Sequence, residues 1–168
     1  MNSVPWTGDS SQLTLRGATM DDVRMIFAWR NIPELAEMGR TQRPVGWEEH
    51  LSWFQRVLTD GNHLLLIVLL GQEPIGQVRF DLVKDRSCEV SISLLPQYTG
   101  RGLGVLALEH ACWEAFARMA VDEIVAVIRK DNQRSISAFK KAGFDFVQRS
   151  DTDALVVLHV RHPADVPH

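Results

Sequence analysis

Apolar residues recur along the chain at two spacings, and each spacing predicts a different type of element. Over residues 23–27 and 47–58 they recur every three or four positions, which is typical of amphipathic helices. Over residues 89–94 polar and apolar residues alternate, which predicts a strand with two unlike faces. The unbroken apolar run over residues 64–70 predicts a buried strand.

Residues that favour caps and turns indicate where these elements begin and end. Thr19 and Asp22 have the spacing of a capping box and predict the start of the first helix, which Pro33 limits. Residues 71–74 predict a hairpin turn between two strands, and Gly143 predicts a left-handed cap on a later helix. The complete pattern predicts an α/β (α+β) fold with the order β-α-α-β-β-β-α-β-α-β-β.

Length and composition favour one domain that acts on a small partner. A chain of 168 residues, 45% of them hydrophobic, can bury a sizeable core, and we expect a single domain over residues 1–168 with its core at about residues 12–160 and loose ends. The net charge of −3 gives no basis for a nucleic-acid partner. No apolar run approaches the roughly 20 residues that cross a membrane, and the start does not resemble a secretory leader.

Cysteine and histidine usage predicts neither a disulfide framework nor a metal site. Cys88 and Cys112 are the only cysteines, and no other thiol or histidine stands at metal-ligand spacing from them. The histidines have no sequence partner that would complete a catalytic triad. We therefore expect a protein without a metal, in the reducing cytoplasm.

A glycine-rich turn between a predicted strand and a predicted helix is the candidate binding element. Gly100, Gly102 and Gly104 leave the main-chain N–H groups open to an anion, and the following helix adds the positive end of its dipole. Arg101 adds a formal charge. The spacing differs from the dinucleotide fingerprint and from the nucleoside-triphosphate loop. A pyrophosphate cradle and a plain tight turn both remain open for the glycines alone.

Two motifs in the expected order resemble the GNAT superfamily of acyl-coenzyme A N-acyltransferases. Gln97-x-x-Gly100-x-Gly102 is similar to the coenzyme pyrophosphate loop of that family, and residues 132–144 (NQRSISAFKKAGF) are similar to its second signature, beside the pantetheine arm. The resemblance implies a mixed sheet of six or seven strands flanked by four helices, in which the strands over residues 90–95 and 124–128 splay apart. It also implies acetyl-coenzyme A as co-substrate and no metal.

The resemblance further implies which residues hold the coenzyme, mostly through main-chain groups. Leu94 and Leu95 would contact the pantetheine amides, and the loop amides of residues 101–105 would bind the pyrophosphate. Asn132 would lie beside the arm. The complete implied set is Leu94, Leu95, Gln97, Thr99, Gly100, Arg101, Gly102, Leu103, Gly104, Val105, Asn132, Ser135, Phe139 and Lys140.

Glu89 is the candidate catalytic base. An alkyl amine with a pKa near about 10 is mostly protonated at neutral pH, so a group must accept a proton before the nitrogen can attack. Glu89 lies on the strand nearest the expected thioester and would act directly or through a water molecule; a structural ion pair is the alternative. Phe139 stands where many family members have a proton-donating tyrosine, which leaves the general acid unassigned. We interpret Tyr98, the only tyrosine, as a packing or coenzyme contact.

The acceptor is expected to meet the first two helices and the loop between them. Residues 28–31 (AWRN), 47–54 (WEEHLSWF), 76–80 (GQVRF) and 89–93 (EVSIS) resemble family members that acetylate amino groups on nucleotide-linked sugars in pseudaminic acid-type synthesis. Aromatic rings can stack on a sugar or base, and an arginine can pair with a phosphate. The candidate acceptor residues are Arg30, Asn31, Trp47 and His50, although Trp47 also fits a core position.

Two other functions remain open from the sequence. Similar domains acetylate protein N-termini, which would require a groove open to a peptide. A module that binds acyl-coenzyme A without turnover would fit the absence of a tyrosine at Phe139. Dimers are common among such proteins, so a homodimer is compatible with the sequence.

Overall fold

The computed structural model describes residues 10–38, 43–147 and 155–163. In these residues five helices accompany seven strands. The strands are β1 (Leu13–Gly17), β2 (His63–Leu70), β3 (Glu73–Lys84), β4 (Ser87–Leu94), β5 (Glu123–Arg129), β6 (Asp145–Val147) and β7 (Leu155–Arg161). The helices are α1 (Val23–Arg30), α2 (Pro33–Met38), α3 (Trp47–Thr59), α4 (Leu103–Arg118) and α5 (Gln133–Lys141).

The strands form one mixed sheet in the order β1-β2-β3-β4-β5-β7-β6. Every neighbouring pair is antiparallel except β4 and β5, which are parallel and are joined through α4. The β4–β5 pairing extends only from Ser87↔Glu123 to Glu89↔Val125. Beyond Glu89 the two strands part, which confirms the predicted splay at the centre of the sheet.

Each face of the sheet is covered by its own helices. A core on one face joins Phe80, Cys88 and Val90 of the sheet to Leu108 of α4, and it also contains Phe139 of α5. A second core on the other face joins strand β2 to α1 and α3, through Ile26, Trp29, Phe54, Leu65 and Ile67. Because side chains alternate along a strand, the polar residues between the β3 and β4 core positions lie on the face that α1 and α3 cover.

The helix count differs from the sequence-based expectation of four. Pro33 was expected only to limit the first helix, which ends at Arg30, but Pro33 is also the first residue of the short helix α2. Proline is tolerated in the first turn because the N–H that it lacks has no partner there. Helix α2 buries no residue, so the apolar periodicity gave no sign of it.

The predicted boundary residues are present where the structure describes them. Thr19 and Asp22 form the capping box, but it caps a short 3₁₀ turn (Met20–Asp22) that leads directly into α1. Gly143 has a positive φ of 96° after α5. Strand β6 is described as Asp145–Val147, and residues 148–154 lie outside the described part. Within the described ranges, no helix is long and apolar enough to cross a bilayer.

Candidate active site

The glycine turn at the start of α4 is open and offers main-chain donors. Gly100 and Gly102 have φ values of 73° and 78°, and a Cβ placed on either would meet no atom within 4 Å. Gly102 is the N-cap of α4 and provides no side-chain cap. The first N–H groups of a helix have no partner within the helix, so those of Leu103, Gly104 and Val105 are directed toward the N-terminal end of α4 without an intrahelical partner. This turn fits the pyrophosphate of a coenzyme.

A second arginine reaches this turn from α5. The Thr99 hydroxyl donates to Pro96 O at 2.8 Å, and Arg134 Nη1 donates to the Thr99 hydroxyl oxygen at 3.1 Å. Gln97 and Arg101 are exposed beside it. Arg134 lies within the second sequence motif, but the motif did not identify it as a partner of the turn. The structure thus brings Arg134 and Arg101 to the same loop.

The splay leaves a gap beside the end of β4, where an extended arm can enter. Leu94 is buried at the end of this strand. The Leu95 N–H donates to Ile75 O at 2.8 Å, and the Leu95 carbonyl accepts from Tyr98 N at 2.9 Å. The sequence predicts a pantetheine contact at Leu95, but the main-chain N–H and C=O of this residue already have hydrogen-bond partners within the protein.

Helix α5 separates the predicted coenzyme residues into two groups. At its start, the Asn132 side chain accepts from Ser135 N at 3.2 Å, and both residues are half-buried. Farther along, Phe139 is only 3% exposed and packs edge-to-face on Phe144 at 5.0 Å. The Lys140 ammonium lies over the Phe146 ring. Phe139 is thus part of the core in this structure.

Glu89 occupies the last paired position before β4 and β5 part. It lies opposite Asp81 on β3 and Val125 on β5, and it is half-buried. Arg79, two residues before Asp81, stacks on Trp53 of α3. Asp81 and Glu89 therefore lie on the face covered by α1 and α3, next to the opening of the gap. This position suits a base that accepts a proton from an acceptor amine.

His50 holds Arg30 in place from inside the protein. His50 is completely buried, and its Nε2–H donates to Val23 O at 2.7 Å. Its Nδ1 therefore accepts from Arg30 Nη1, at 3.2 Å. Burial lowers the pKa of His50, and the charge of Arg30 lowers it further. The His50 ring has no exposed surface that a ligand could contact. In this structure the predicted acceptor residue His50 instead supports Arg30 through a hydrogen bond.

Two guanidinium groups share the indole ring of Trp53. The Arg30 carbon Cζ lies 4.2 Å from the ring centre, and the Arg79 Cζ lies 5.3 Å from it. Burial lowers the pKa of Arg30, and the charge of Arg79 lowers it further. Arg79 has an ion pair with Asp81, whereas no ion pair of Arg30 is found in the described residues. Arg30 and Arg79, with Asp81 as the ion-pair partner of Arg79, therefore carry an excess positive charge on the same face as Glu89.

The other two predicted acceptor residues have structural contacts. The Asn31 side chain donates to Phe27 O and Val45 O and accepts from Val45 N. These bonds occupy its amide and close the loop that carries α2. Trp47 is half-buried against Phe27, with Arg24 over its ring.

The two cysteines and Tyr98 all have raised pKa values. Burial raises the pKa of Cys88 and of Cys112 to about 12, so neither thiol ionises near neutral pH. A hydrogen bond with Glu73 raises the pKa of Tyr98. No group of histidine, cysteine, aspartate or glutamate side chains in the part of the chain described here is arranged to hold a metal.

The helix-start cradle, the splayed strands and the order of elements define a coenzyme A-dependent acetyltransferase of the GNAT type. Residues 12–145 match the model of the acetyltransferase (GNAT) domain family, and the chain belongs to that family. Members of this family are enzymes that use acetyl-coenzyme A as the acetyl donor.

Individual relatives agree with this assignment. The chain is 25% identical to acetyltransferase PseH of Campylobacter jejuni over 146 residues, which cover 87% of this chain and 91% of that protein. The crystal structure of C. jejuni N-acetyltransferase PseH superposes with a TM-score of 0.67 at 16% identity, covering 89% of this chain and 98% of that one. Spermidine N-acetyltransferase from Vibrio cholerae, in complex with CoA and spermine, gives 0.78 at 20% identity, with 90% and 96% covered. These two structures share the fold.

Proposed function

We propose that the protein transfers an acetyl group from acetyl-coenzyme A to the amino group of a nucleotide-linked amino sugar. The observation that carries this proposal is the Arg30–Trp53–Arg79 group, which lies on the same face as Glu89. It is supported by the similarity to PseH and by the sequence resemblance to acetyltransferases of nucleotide-linked amino sugars. An acceptor that carries both an amine and a phosphate could place the amine at Glu89 and the phosphate at Arg30 and Arg79.

The chemistry assigned to the chain is proton acceptance and charge stabilisation. Acetyl-coenzyme A supplies an activated thioester. The first N–H groups of α4, with Arg101 and Arg134, bind the pyrophosphate. Glu89 accepts a proton from the acceptor ammonium, directly or through a water molecule, and so frees the nitrogen lone pair for attack. The main-chain amide of Leu94 stabilises the negative charge that develops on the acetyl oxygen. No acid is needed at Phe139, because a thiol with a pKa of about 8.5 is a good leaving group.

The two arginines are suited to a phosphate because they repel each other in the free protein. Bringing a second cation beside a half-buried guanidinium is unfavourable, and an anion between them converts repulsion into attraction. Arginine also binds phosphate oxygens in a forked geometry. His50 and Trp53 hold Arg30 in one orientation, so little side-chain entropy is lost when a ligand binds.

Replacing Arg30 with glutamine is expected to raise KM for a nucleotide-linked amino sugar by about 10- to 100-fold, the range of a lost charge-assisted contact of roughly 1.5–3 kcal/mol. The kcat and the affinity for acetyl-coenzyme A are expected to stay near wild type. Acetylation of the free amino sugar, which lacks the phosphate, is expected to change little. Steady-state kinetics with both acceptors measure this difference.

Arg24→Gln is the matched control, because Arg24 also stacks on a tryptophan of α3 from helix α1, with its Cζ 5.1 Å from the centre of Trp47. It is expected to leave both acceptors unaffected. An equal loss for the two acceptors in Arg30→Gln, or the same loss in Arg24→Gln, would contradict a phosphate subsite at Arg30.

A further inference from the structure

A chain of polar contacts leads from the end of α3 to Arg79. His63 Nδ1 lies 2.5 Å from Asp81 Oδ1, and Arg79 Nε donates to Asp81 Oδ2 at 2.9 Å. His63 Nε2 lies 3.3 Å from Asp60 Oδ2. The His63, Asp81 and Arg79 side chains are only 20–28% exposed. Both oxygens of Asp81 are thus fixed, one by each neighbour.

This arrangement determines which part of Arg79 is available to a ligand. Asp81 accepts from the Nε–H, and the two Nη atoms of Arg79 make no hydrogen bond within the described residues. The guanidinium also lies against Trp53, which restricts its rotation. A free arginine side chain loses roughly 2 kcal/mol of rotamer entropy when it is immobilised. Here the protein has immobilised the side chain before a ligand arrives.

We propose that His63 is a positioning residue, which acts through Asp81 to aim the Arg79 guanidinium at a phosphate group of the acceptor. The proposal rests on the proposed function, because it assigns a second arginine to the acceptor subsite of Arg30. His63 itself does not touch the ligand. The His63 Nδ1–H donates to Asp81, and the oriented carboxylate then accepts from Arg79 Nε.

A similar pair on the same sheet provides an internal comparison. His159 Nδ1 lies 2.7 Å from Glu123 Oε1, and His159 is opposite Val125, the residue that faces Glu89 from β5. The two histidines thus lie in one row across the sheet, on opposite sides of Glu89. Arg161 lies opposite Glu123 on β7, but among the described residues no ion pair joins Glu123 to an arginine. If both histidines only stabilised the sheet, replacing either one would have the same effect on anion binding. If His63 positions Arg79, only the replacement of His63 would weaken anion binding.

The test is calorimetric titration of inorganic pyrophosphate into protein saturated with coenzyme A. Saturation is needed because the cradle at α4 also fits a pyrophosphate. His63→Leu is expected to weaken pyrophosphate binding about 3- to 10-fold, the effect of a misaligned charge-assisted contact. His63→Asn is expected to restore most of the affinity, because the asparagine amide can donate near the position of Nδ1. His159→Leu is expected to leave the affinity unchanged.

The proposal is overturned if His63→Leu binds pyrophosphate as wild type does, if His63→Asn fails to improve on His63→Leu, or if His159→Leu weakens binding equally. Thermal melts of the three variants show whether a loss of folding accounts for a loss of affinity. If His63→Leu melts before 25 °C, it is replaced by His63→Gln, whose longer side chain places its amide near the position of Nε2 rather than Nδ1 and which is expected to give the same weakening. Wild-type protein that binds no pyrophosphate also overturns it. The proposed acetyl transfer is judged separately, by product formation, so the two failures are distinguishable.

Discussion

Replacing Glu89 with glutamine is expected to lower kcat by about 10²- to 10⁴-fold, the range that positioned general bases contribute. Glutamine keeps the size of the side chain and its place at the last paired position of β4, but it cannot accept a proton from an ammonium group. The affinity for acetyl-coenzyme A, measured by titration calorimetry, is expected to stay within about 2-fold, because the coenzyme is assigned to main-chain groups at α4.

The pH profile gives a more specific check on Glu89. The pH profile of kcat/KM is expected to differ between the wild type and Glu89→Gln, because only the wild type has a base at this position. Glu123→Gln is the matched control, because Glu123 lies two positions before Val125 on β5 and pairs with His159. If the profile and kcat of Glu89→Gln match those of the wild type, Glu89 is not the base.

Replacing Gly76 with alanine is expected to lower the free energy of unfolding by about 3 kcal/mol, the upper range for overpacking. A Cβ at Gly76 would lie 2.3 Å from Ser93 O and 2.9 Å from Leu94 Cα. Both are main-chain atoms of β4, so no side-chain rotation relieves the clash. For a chain of this length, that loss corresponds to a fall in Tm of roughly 6–12 °C in a thermal melt.

Gly17→Ala is the control for Gly76, since a Cβ at Gly17 would meet no atom within 4 Å and Gly17 ends the edge strand β1. It is expected to shift Tm by less than about 2 °C. The clash at Gly76 also moves Ser93 and Leu94, beside the gap, so residual folded Gly76→Ala protein is expected to bind acetyl-coenzyme A more weakly. An unchanged Tm would show that β3 and β4 are not held this closely.

The element order was predictable because each element carries a local pattern. The alternation over residues 89–94 specified strand β4, and the apolar spacing over residues 47–58 specified α3. The capping box at Thr19 and the positive φ of Gly143 follow from rules that involve only a few neighbouring residues. Helix α2 was not predicted, because it buries no side chain and therefore has no apolar periodicity.

The candidate site was predictable only in part, because some of its contacts join residues far apart in the sequence. The glycine turn is continuous in the chain, and the sequence indicated it directly. The Arg30–Trp53–Arg79 group joins α1, α3 and β3. Of these three residues the sequence named only Arg30 as an acceptor residue, although Trp53 and Arg79 lie in segments that carry the resemblance. The alternation of Gln77, Arg79 and Asp81 with buried residues of β3 was the available signal, since it places them on the same face as Glu89.

Burial also changed the assignment of individual residues. His50 and Phe139 were expected at ligands, and the structure places both inside the protein. Each lies on a helix next to residues that do reach the surface, and sequence cannot determine how far a helix is rotated into the core. His50 still contacts one proposed acceptor residue, because it forms a hydrogen bond with Arg30. Phe139 has a packing contact with Phe144 instead.

The most direct measurement is incubation of the protein with acetyl-coenzyme A and equal amounts of a nucleotide-linked amino sugar, the free amino sugar, a polyamine and a peptide with a free N-terminus, followed by mass spectrometry. The proposed function predicts that the nucleotide-linked amino sugar gains one acetyl group on its nitrogen, with one free thiol released for each product, faster than any competitor. Acetylation of the peptide or the polyamine in preference to that sugar, or bound coenzyme with no acetylated product, would contradict it.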